Sequence, residues 1–386
     1  MKTEKKYCAS PWRGLHLNFE GQIKTCCAGL INSKDLMLDD LSTTKSIESV
    51  LQNAKFKEIK ESIKQGKLHH EYCVNCIQRE DAGGRSERDW HNNINKDFDV
   101  QTANLDEHKP SLVDLRWNNT CNLACTYCDP YFSTKWASIM GQSENKSIKS
   151  HYTKVVDYID EHKQYVKEVA LVGGEPLLMK ENVALLKVLT DDVSITLLTN
   201  MSVNLDTNLV VKQLLNRSKV NWNMSFDNIN ERFEYVRYGG VWEQMNKNVT
   251  VISDRINNTT HNGGIHAVYN IYSCTRLCEL RKYAIEKKIE ITWQQLDYPE
   301  HLNPTNHNAK VRQLAIEEIR KYKSMFEVSD EDLSFLDATV SLLQKGNIDK
   351  GKEFLDFTEE LENKYHPTHK GKFKELWPEL MQTQIH

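Results

Sequence analysis

The sequence has few prolines and glycines and no long apolar run. Its 386 residues include 8 prolines and 16 glycines, which excludes collagen-like and low-complexity chains. No run approaches the roughly 18–20 apolar residues that a membrane-spanning helix needs. The segment from Met1 to Cys8 also lacks the apolar stretch of a secretory signal. These absences predict a cytoplasmic protein without membrane segments.

The chain also lacks an excess of positive charge. It carries 50 basic and 54 acidic residues, for a formal net charge of −4, so no overall basic field would attract nucleic acid. Hydrophobic residues make up 39% and charged residues 27% of the chain, which is typical of a globular protein. At roughly 100–200 residues per domain, the length indicates two or three domains.

Cysteines are too dilute for a disulfide scaffold, since there are only ten. Their clustering is more informative than their number, and it is typical of metal-binding cysteines in a reducing compartment. In chain order they are Cys8, Cys26, Cys27, Cys73, Cys76, Cys121, Cys125, Cys128, Cys274 and Cys278.

The hydrophobic pattern divides the chain at about residues 110 and 302. Residues 1–110 read as irregular, with one helix that begins at a Ser46 cap and ends at Gly66. Residues 111–302 alternate strand-like runs with helical patterns, which implies parallel crossovers and an α/β fold. Residues 303–386 are charged, helical and strand-free, and predict a C-terminal helical extension that packs on the α/β region.

Six strands and five intervening helices are predicted in the α/β region. The strands are Leu112–Trp117, Lys167–Val172, Val193–Leu198, Val220–Ser225, Gly264–Ile271 and Ile289–Gln294. The helices are His151–Lys163, Glu181–Leu189, Thr207–Arg217, Val241–Ile256 and Arg276–Lys287.

A three-cysteine loop follows the first of these strands directly. Cys121, Cys125 and Cys128 have the spacing C-x3-C-x2-C. A structural zinc site normally has four protein ligands, so a zinc site here would need a distant fourth residue. Three thiolates on a [4Fe–4S] cluster instead leave one iron open to a substrate or cofactor.

This loop resembles that of the radical S-adenosylmethionine (radical SAM) family, including the aromatic Tyr127 before the third cysteine. The resemblance implies that the open iron binds S-adenosylmethionine (SAM). An electron from the cluster then cleaves SAM to a 5′-deoxyadenosyl radical, which abstracts hydrogen from a substrate. It also implies a partial (β/α)6 TIM-like barrel over about residues 111–300 and a flavodoxin- or ferredoxin-like electron donor.

A Gly-Gly-Glu-Pro motif ends the second predicted strand and strengthens this resemblance. Gly173 and Gly174 have no Cβ, so their backbone can approach a ligand closely. Glu175 offers a carboxylate to an ammonium group. In the family this motif holds the amino group of SAM; taken alone, it could be an ordinary strand-to-helix turn.

Weaker matches lie at the ends of later strands, where functional groups of parallel α/β folds gather. In related enzymes a Ser or Asp at such a position contacts the SAM ribose and an Arg contacts its carboxylate. Ser225 and Asp227 could equally be helix caps. The residues implied by these matches are Thr199, Asn200, Ser225, Asp227, Arg237 and Leu296.

Four N-terminal cysteines form a second candidate metal site. Cys8, Gly21 and Cys26 have the spacing C-x12-G-x4-C, which resembles the SPASM and twitch domains that hold auxiliary [4Fe–4S] clusters. Cys73 and Cys76 would complete four ligands, although a structural zinc site remains the alternative. Those domains normally follow the barrel, whereas these cysteines precede it. The spacing favours Cys26 over Cys27.

The resemblance leaves the substrate open. Most SPASM and twitch relatives crosslink, oxidise or epimerise peptides or proteins, while others act on small molecules such as sugars; a nucleotide-like substrate is also compatible. A non-catalytic zinc protein that binds partners through its helical tail is the alternative from a different class.

Cys274 and Cys278 remain after both clusters are assigned. Cys274 follows the fifth predicted strand, so we expect it near the barrel mouth, where its thiol could return a hydrogen atom to a substrate radical. The alternative is that both are ordinary buried cysteines.

Overall fold

The computed structural model describes residues 6–30, 46–81, 86–142 and 152–384. Residues 1–5 lie outside these ranges, and they belong to the segment for which we predicted no secretory signal. His151, where a predicted helix begins, also lies outside them. Within them, no helix combines the length and hydropathy needed to cross a membrane.

The strands are numbered in chain order. They are β1 (Gly14–Leu17), β2 (Ile23–Lys24), β3 (Leu112–Leu115), β4 (Ala124–Cys125), β5 (Glu168–Leu171), β6 (Ser194–Thr199), β7 (Val220–Ser225), β8 (Arg237–Tyr238), β9 (Asn262–Tyr269) and β10 (Glu290–Gln295).

The α-helices are numbered in the same way. They are α1 (Ser10–Arg13), α2 (Ile47–Leu51), α3 (Ala54–Lys64), α4 (Val74–Asp81), α5 (Glu87–Ile94), α6 (Thr134–Ile139), α7 (Tyr152–His162), α8 (Glu181–Val188), α9 (Leu209–Leu215), α10 (Asn230–Val236), α11 (Trp242–Asn258), α12 (Leu277–Lys287), α13 (Ala309–Met325), α14 (Asp330–Lys345), α15 (Gly351–Glu360), α16 (Lys372–Leu376) and α17 (Pro378–Gln384).

One sheet has the strand order β10-β9-β7-β6-β5-β3-β1-β2. The pairs β1–β3, β3–β5, β5–β6 and β9–β10 are parallel, whereas the edge strand β2 is antiparallel to its neighbour β1. From β3 to β10 the strands of this sheet follow the chain order, with helices between them. The predicted α/β class and its six-strand (β/α)6 order are therefore confirmed.

Burial explains the strand sequences. Every residue of β3 is buried, as expected for a central strand of a parallel sheet covered on both faces. In β7, buried and half-buried residues alternate, since successive side chains point to opposite faces.

The N-terminal prediction was partly wrong. The single helix expected from Ser46 to Gly66 is two helices, α2 and α3, because the Asn53 side chain accepts a hydrogen bond from the Phe56 amide (2.9 Å) and starts a new helix. Ser46 does cap α2, and Gly66 has the positive φ (78°) of a helix end. The strands β1 and β2 were not predicted.

Tertiary contacts divide the chain into two units. Unit 1 contains Met1–Thr120, Asn145–Leu197 and Asp206–Asn221, and unit 2 contains Cys121–Glu144, Leu198–Leu205 and Trp222–His386. The predicted domain boundaries at residues 110 and 302 do not coincide with this division, and they stay a prediction.

Within unit 2, the C-terminal helices share a core with the α/β elements. Buried residues of β9, α12, α13, α16 and α17 form one apolar cluster. The Trp377 indole, fully buried, donates to the Tyr272 carbonyl (2.9 Å). Residues 303–384 therefore pack against the α/β elements of their own unit.

Candidate active site and cysteine clusters

The three-cysteine loop of unit 2 is held by a short antiparallel pair of strands. Strand β4 within the loop pairs with β8 so that Cys125 lies opposite Arg237. The Thr126 amide continues this contact by donating to the Val236 carbonyl (2.8 Å). The Trp136 indole donates to the Cys125 carbonyl (2.8 Å). The loop is thus fixed by residues far along the chain.

A buried charge network lies beside Cys125. The Arg237 guanidinium is 3.8 Å from the Cys125 sulfur and 3.6 Å from an Asp227 carboxylate oxygen. The Tyr127 hydroxyl donates to the same oxygen (2.6 Å), and the Val268 amide donates to the other one (2.7 Å). Three residues that the resemblance implied, Tyr127, Asp227 and Arg237, therefore form one connected group.

This network sets the electrostatics of the loop. Burial raises the pKa of the Cys125 thiol, and the Arg237 guanidinium opposes this rise. Burial by itself would lower the pKa of Arg237, but Tyr127, Asp227 and Cys125 raise it overall. Burial and the neighbouring Cys125 and Cys121 sulfurs also raise the pKa of Cys128. Because thiolates bind metal, the loop favours protonated thiols until a metal displaces the protons.

Two further predicted residues lie at the end of β6. The Asn200 amide donates to the Cys121 sulfur (3.8 Å) and to the Asn122 side chain (3.1 Å). The Thr199 hydroxyl accepts from the Met201 amide (3.0 Å) and so fixes the strand end. Asn200 is thus beside the cysteine loop, whereas Thr199 shapes the backbone. Ser225, at the end of β7, is half-buried.

Cys274, which we expected near the barrel mouth, is a core residue of unit 2. It is fully buried in the apolar cluster of unit 2, and its thiol donates to the Ile271 carbonyl (3.3 Å). Burial raises its pKa. This favours the core-cysteine alternative, because a hydrogen-donating thiol must reach a substrate. Leu296 belongs to the same cluster.

The sequence did not single out His266 or the residues that surround Cys128. His266 on β9 interacts electrostatically with Asp227 and Arg237, and burial lowers its pKa. Cys128 and Tyr365 both pack against the buried cluster of Ala124, Trp136 and Leu361. A lone histidine in a strand and an aromatic residue in a distant helical tail carry no local signal that could have revealed them.

In unit 1, the Gly-Gly-Glu-Pro motif packs against its own chain. A Cβ at Gly174 would lie 2.3 Å from the Thr120 carbonyl oxygen, and one at Gly173, whose φ is +122°, would lie 3.2 Å from that of Asn118. The two glycines therefore let the segment after β3 pack closely against them, in addition to the close approach that we expected for a ligand.

Glu175 is fully buried and joined to the same segment. Its amide donates to the Thr120 carbonyl (2.7 Å), and its carboxylate accepts from the Leu177 amide (3.0 Å). The carboxylate thus caps the turn Pro176–Leu178. The motif has a structural role in addition to the predicted contact with SAM.

The four N-terminal cysteines of unit 1 line one cavity. Mostly apolar side chains and Arg88 complete its wall. Cys8, Cys26 and Cys76 are buried, and burial raises the pKa of Cys73 to about 11. The cysteines lining the cavity are Cys8, Cys26, Cys73 and Cys76.

One helix and one tyrosine position three of these thiols. Cys76 lies on α4, and Cys73 immediately precedes it. The buried Tyr72 hydroxyl accepts from the amides of Thr25 (3.0 Å) and Cys26 (3.1 Å). It therefore joins the segment carrying Cys26 to the one carrying Cys73. All ten cysteines lie within the described residues, and none of them forms a disulfide.

Residues 116–271 match the family model of the radical SAM superfamily. The chain contains a radical SAM domain. The matched region includes the three-cysteine loop, the Gly-Gly-Glu-Pro motif and the network of Arg237 and Asp227. It does not include the four N-terminal cysteines.

The chain is also similar to parts of known proteins. It is 39% identical over 94 residues to 7-carboxy-7-deazaguanine synthase of Clostridium acetobutylicum, which is 24% of this chain and 38% of that enzyme.

Solved structures of two further proteins match parts of the chain. The structure of Streptococcus suis SuiB bound to SAM is 17% identical to this chain, with a TM-score of 0.41. The match covers 56% of this chain and 48% of SuiB. Native anSMEcpe with bound AdoMet is 16% identical, with coverages of 59% and 62% and a TM-score of 0.40. The chain thus spans less than two thirds of the synthase and of both of these structures.

Proposed function

We propose that this protein is a radical SAM enzyme that cleaves SAM reductively and abstracts hydrogen from a substrate. The observation that carries this proposal is the three-cysteine loop, which lies within the radical SAM domain and has the buried Arg237 guanidinium of β8 beside its second cysteine. When bound, a [4Fe–4S] cluster with one open iron supplies the electron that cleaves SAM to a 5′-deoxyadenosyl radical.

The residues of the loop fit such a cluster. Cys121, Cys125 and Cys128 provide three thiols from one short segment, and no fourth ligand is needed for an open iron. Three thiolates carry negative charge into a largely buried place, and Arg237 offsets part of it. Asp227 and Tyr127 hold that guanidinium in position.

We assign the SAM contacts by family resemblance. Glu175 binds the amino group of SAM, with Gly173 and Gly174 next to it. Arg237 binds the carboxylate, and Ser225 and Asp227 bind the ribose. Thr199, Asn200 and Leu296 complete the proposed set.

We further propose an auxiliary [4Fe–4S] cluster on Cys8, Cys26, Cys73 and Cys76. The shared cavity of these four thiols supports it, as does the resemblance of the N-terminal spacing to SPASM and twitch domains. Four protein ligands leave no open iron, so this cluster would transfer electrons or stabilise the fold. A cytoplasmic location, where a flavodoxin- or ferredoxin-like reductant is available, suits both clusters.

A peptide or protein is the substrate that we propose, because most SPASM and twitch relatives modify such substrates. The curated relative supports a second candidate, a small nucleotide-like molecule, since its name is that of a deazaguanine synthase.

Anaerobic reconstitution with iron and sulfide tests the proposed chemistry. With SAM and dithionite, the reconstituted protein should form 5′-deoxyadenosine and methionine, measured by mass spectrometry. Replacing Cys121, Cys125 and Cys128 together with Ala should abolish this product. Wild-type protein that binds only zinc and leaves SAM intact would contradict the proposal.

The same assay separates the two substrate classes. The host extract is divided into a peptide and protein fraction and a small-molecule fraction. The fraction that raises the rate of 5′-deoxyadenosine formation contains the substrate, and stimulation by the small-molecule fraction alone would contradict a peptide substrate.

A further inference from the structure

A second group of metal-binding side chains lies outside the four-cysteine cavity. His16 on β1, Cys27 after β2 and Asp114 on β3 place one nitrogen, one sulfur and one oxygen atom within 4.8 Å of one another. All three residues belong to unit 1. None of them was singled out by the sequence motifs as a ligand.

The register of the sheet explains why these side chains meet. His16 and Asp114 are Cα partners in the parallel pair β1–β3, so their side chains lie side by side on the same face. His16 is also opposite Lys24 in the pair β1–β2, and the chain reaches Cys27 shortly after that strand ends. Two strand pairings therefore set the spacing of the three groups.

His16 and Asp114 are buried and Cys27 is half-buried, but the His16 imidazole lacks well-formed hydrogen bonds. His16 and Asp114 are each only 4% exposed. The His16 Nδ1 lies 3.2 Å from an Asp114 carboxylate oxygen, yet neither ring nitrogen makes a hydrogen bond of acceptable geometry. A buried polar atom without a partner is unfavourable, and a cation shared by the ring, the carboxylate and the thiol would satisfy it.

A second buried imidazole adjoins the first. His91 is fully buried, and its ring meets that of His16 edge to face at a centroid distance of 5.6 Å. Both of its nitrogens also lack a hydrogen-bond partner. Two buried imidazoles without hydrogen-bond partners therefore lie side by side.

We propose that His16, Cys27 and Asp114 form a binding site for Zn²⁺. A nitrogen, a sulfur and an oxygen donor are the ligand types that zinc accepts, and three protein ligands leave its fourth position open. Cys27 and Asp114 would offset the two positive charges of the ion when both are deprotonated. The other Asp114 oxygen lies 3.5 Å from the Arg116 guanidinium, which orients the carboxylate.

The site gives the adjacent cysteines separate roles. Cys26 lines the four-cysteine cavity, whereas the Cys27 sulfur lies with His16 and Asp114. Zinc bound to Cys27 would join β1, β3 and the segment after β2. It would therefore hold the chain next to Cys26 in place.

Metal analysis of the reconstituted protein tests this site. After anaerobic loading with iron and sulfide, the protein is incubated with Zn²⁺ and desalted, and both metals are measured by mass spectrometry. The wild type should retain about one zinc per chain in addition to its iron. Cys27→Ser and His16→Gln should each weaken zinc binding about 10–100-fold or more, since even the loss of an outer partner has an effect of that size.

Two control variants locate the zinc. His70→Gln removes an exposed histidine of the same unit, whose side chain is 83% exposed, and should keep the zinc. The double variant Cys73→Ser/Cys76→Ser should also keep it while it loses iron. Zinc that is lost in this double variant but retained in Cys27→Ser would belong to the cavity and would overturn the proposal.

Cobalt gives a readout that does not depend on activity. Co²⁺ bound through a thiolate shows a sulfur-to-cobalt charge-transfer band, which we expect in the wild type and His70→Gln but not in Cys27→Ser. Serine is nearly isosteric with cysteine, and unchanged circular dichroism will show that this variant is folded. A folded wild type that retains neither zinc nor cobalt would overturn the proposal.

Discussion

The two sets of cysteines are built in opposite ways. Cys121, Cys125 and Cys128 lie within eight consecutive residues of a loop in unit 2, and a separate pair of strands anchors that loop. In unit 1, Cys8, Cys26, Cys73 and Cys76 come from three separate segments and meet only in the folded protein.

The two cysteine sets also differ in their number of thiols and in the cation next to them. The loop has three thiols, and the buried cation Arg237 of β8 lies next to the sulfur of the second. The cavity has four thiols, and its cation, Arg88, is bound to Glu80 (2.8 Å). A loop with three ligands is suited to a cluster with an open iron, whereas a closed set of four is suited to a cluster without one.

Removing the cavity thiols is expected to have the largest effect on metal content. With two clusters, the reconstituted wild type should contain about eight irons per chain. Cys73→Ala/Cys76→Ala should lower this to about four, because two ligands cannot hold the auxiliary cluster. SAM binding should persist in the variant. A wild type with about four irons and one tightly bound zinc on these cysteines would instead establish a zinc site.

Arg237→Ala should be the next largest perturbation. It leaves the Asp227 carboxylate, whose side chain is fully buried, without its charged partner, at a cost of roughly 3–5 kcal/mol in unfolding free energy. Arg237→Lys should recover part of this loss.

Arg88→Ala is the matched control in the other unit. The Arg88 side chain is 20% exposed, so urea denaturation should show a smaller loss for it than for Arg237→Ala. If both variants lost the same unfolding free energy, the cation beside the loop would be no more important for stability than the cation beside the cavity.

Glu175→Gln should weaken SAM binding by about ten- to a hundredfold, the equivalent of roughly 1.5–3 kcal/mol for a charge-assisted hydrogen bond. The amide keeps an oxygen that can still cap the Pro176–Leu178 turn, so the fold should persist. Isothermal titration with SAM measures the effect. Glu181→Gln, on α8, should bind SAM normally, and normal binding by Glu175→Gln would refute the proposed contact.

Near neutral pH, the smallest effect is expected at His108, in unit 1. Its Nε2 lies 2.8 Å from the Gly14 carbonyl oxygen, and burial lowers its pKa to about 3. An unfolded histidine has a pKa of about 6.5, so between these values the unfolded chain binds a proton that the folded chain does not. Stability should therefore fall as the pH decreases from about 6.5, by up to about 1.4 kcal/mol per pH unit.

His108→Gln should remove this part of the acid dependence. Denaturation curves between neutral and mildly acidic pH measure it, and the exposed His70→Gln is the control. A His108→Gln variant with the wild-type slope would show that folding does not lower the pKa of His108.

The sequence predicted those features that depend on neighbouring residues. The C-x3-C-x2-C spacing, the α/β alternation and the Ser46 cap are all local patterns, and the structure contains each of them. Asn53 shows the limit of this reasoning, because an N-cap inside an apparently continuous helical pattern divides it in two.

Features set by register could not be predicted. His16 and Asp114 meet because β1 pairs with β3, and nothing within either segment specifies that pairing. The burial of Cys274 likewise depends on helices from the end of the chain, which complete the cluster around it. In both cases the residues that make the deciding contact are far apart in the sequence.

The pairing of β4 with β8 has a consequence for biosynthesis. Arg237 lies 112 residues after Cys125, so the three cysteines leave the ribosome well before the strand that holds them. Chains are synthesised at about 5–20 residues per second, which leaves the loop without β8 for some seconds. Delivery of iron and sulfide to these thiols should therefore succeed only after Arg237 has emerged, and truncated chains that end before it should fail to retain iron on this loop.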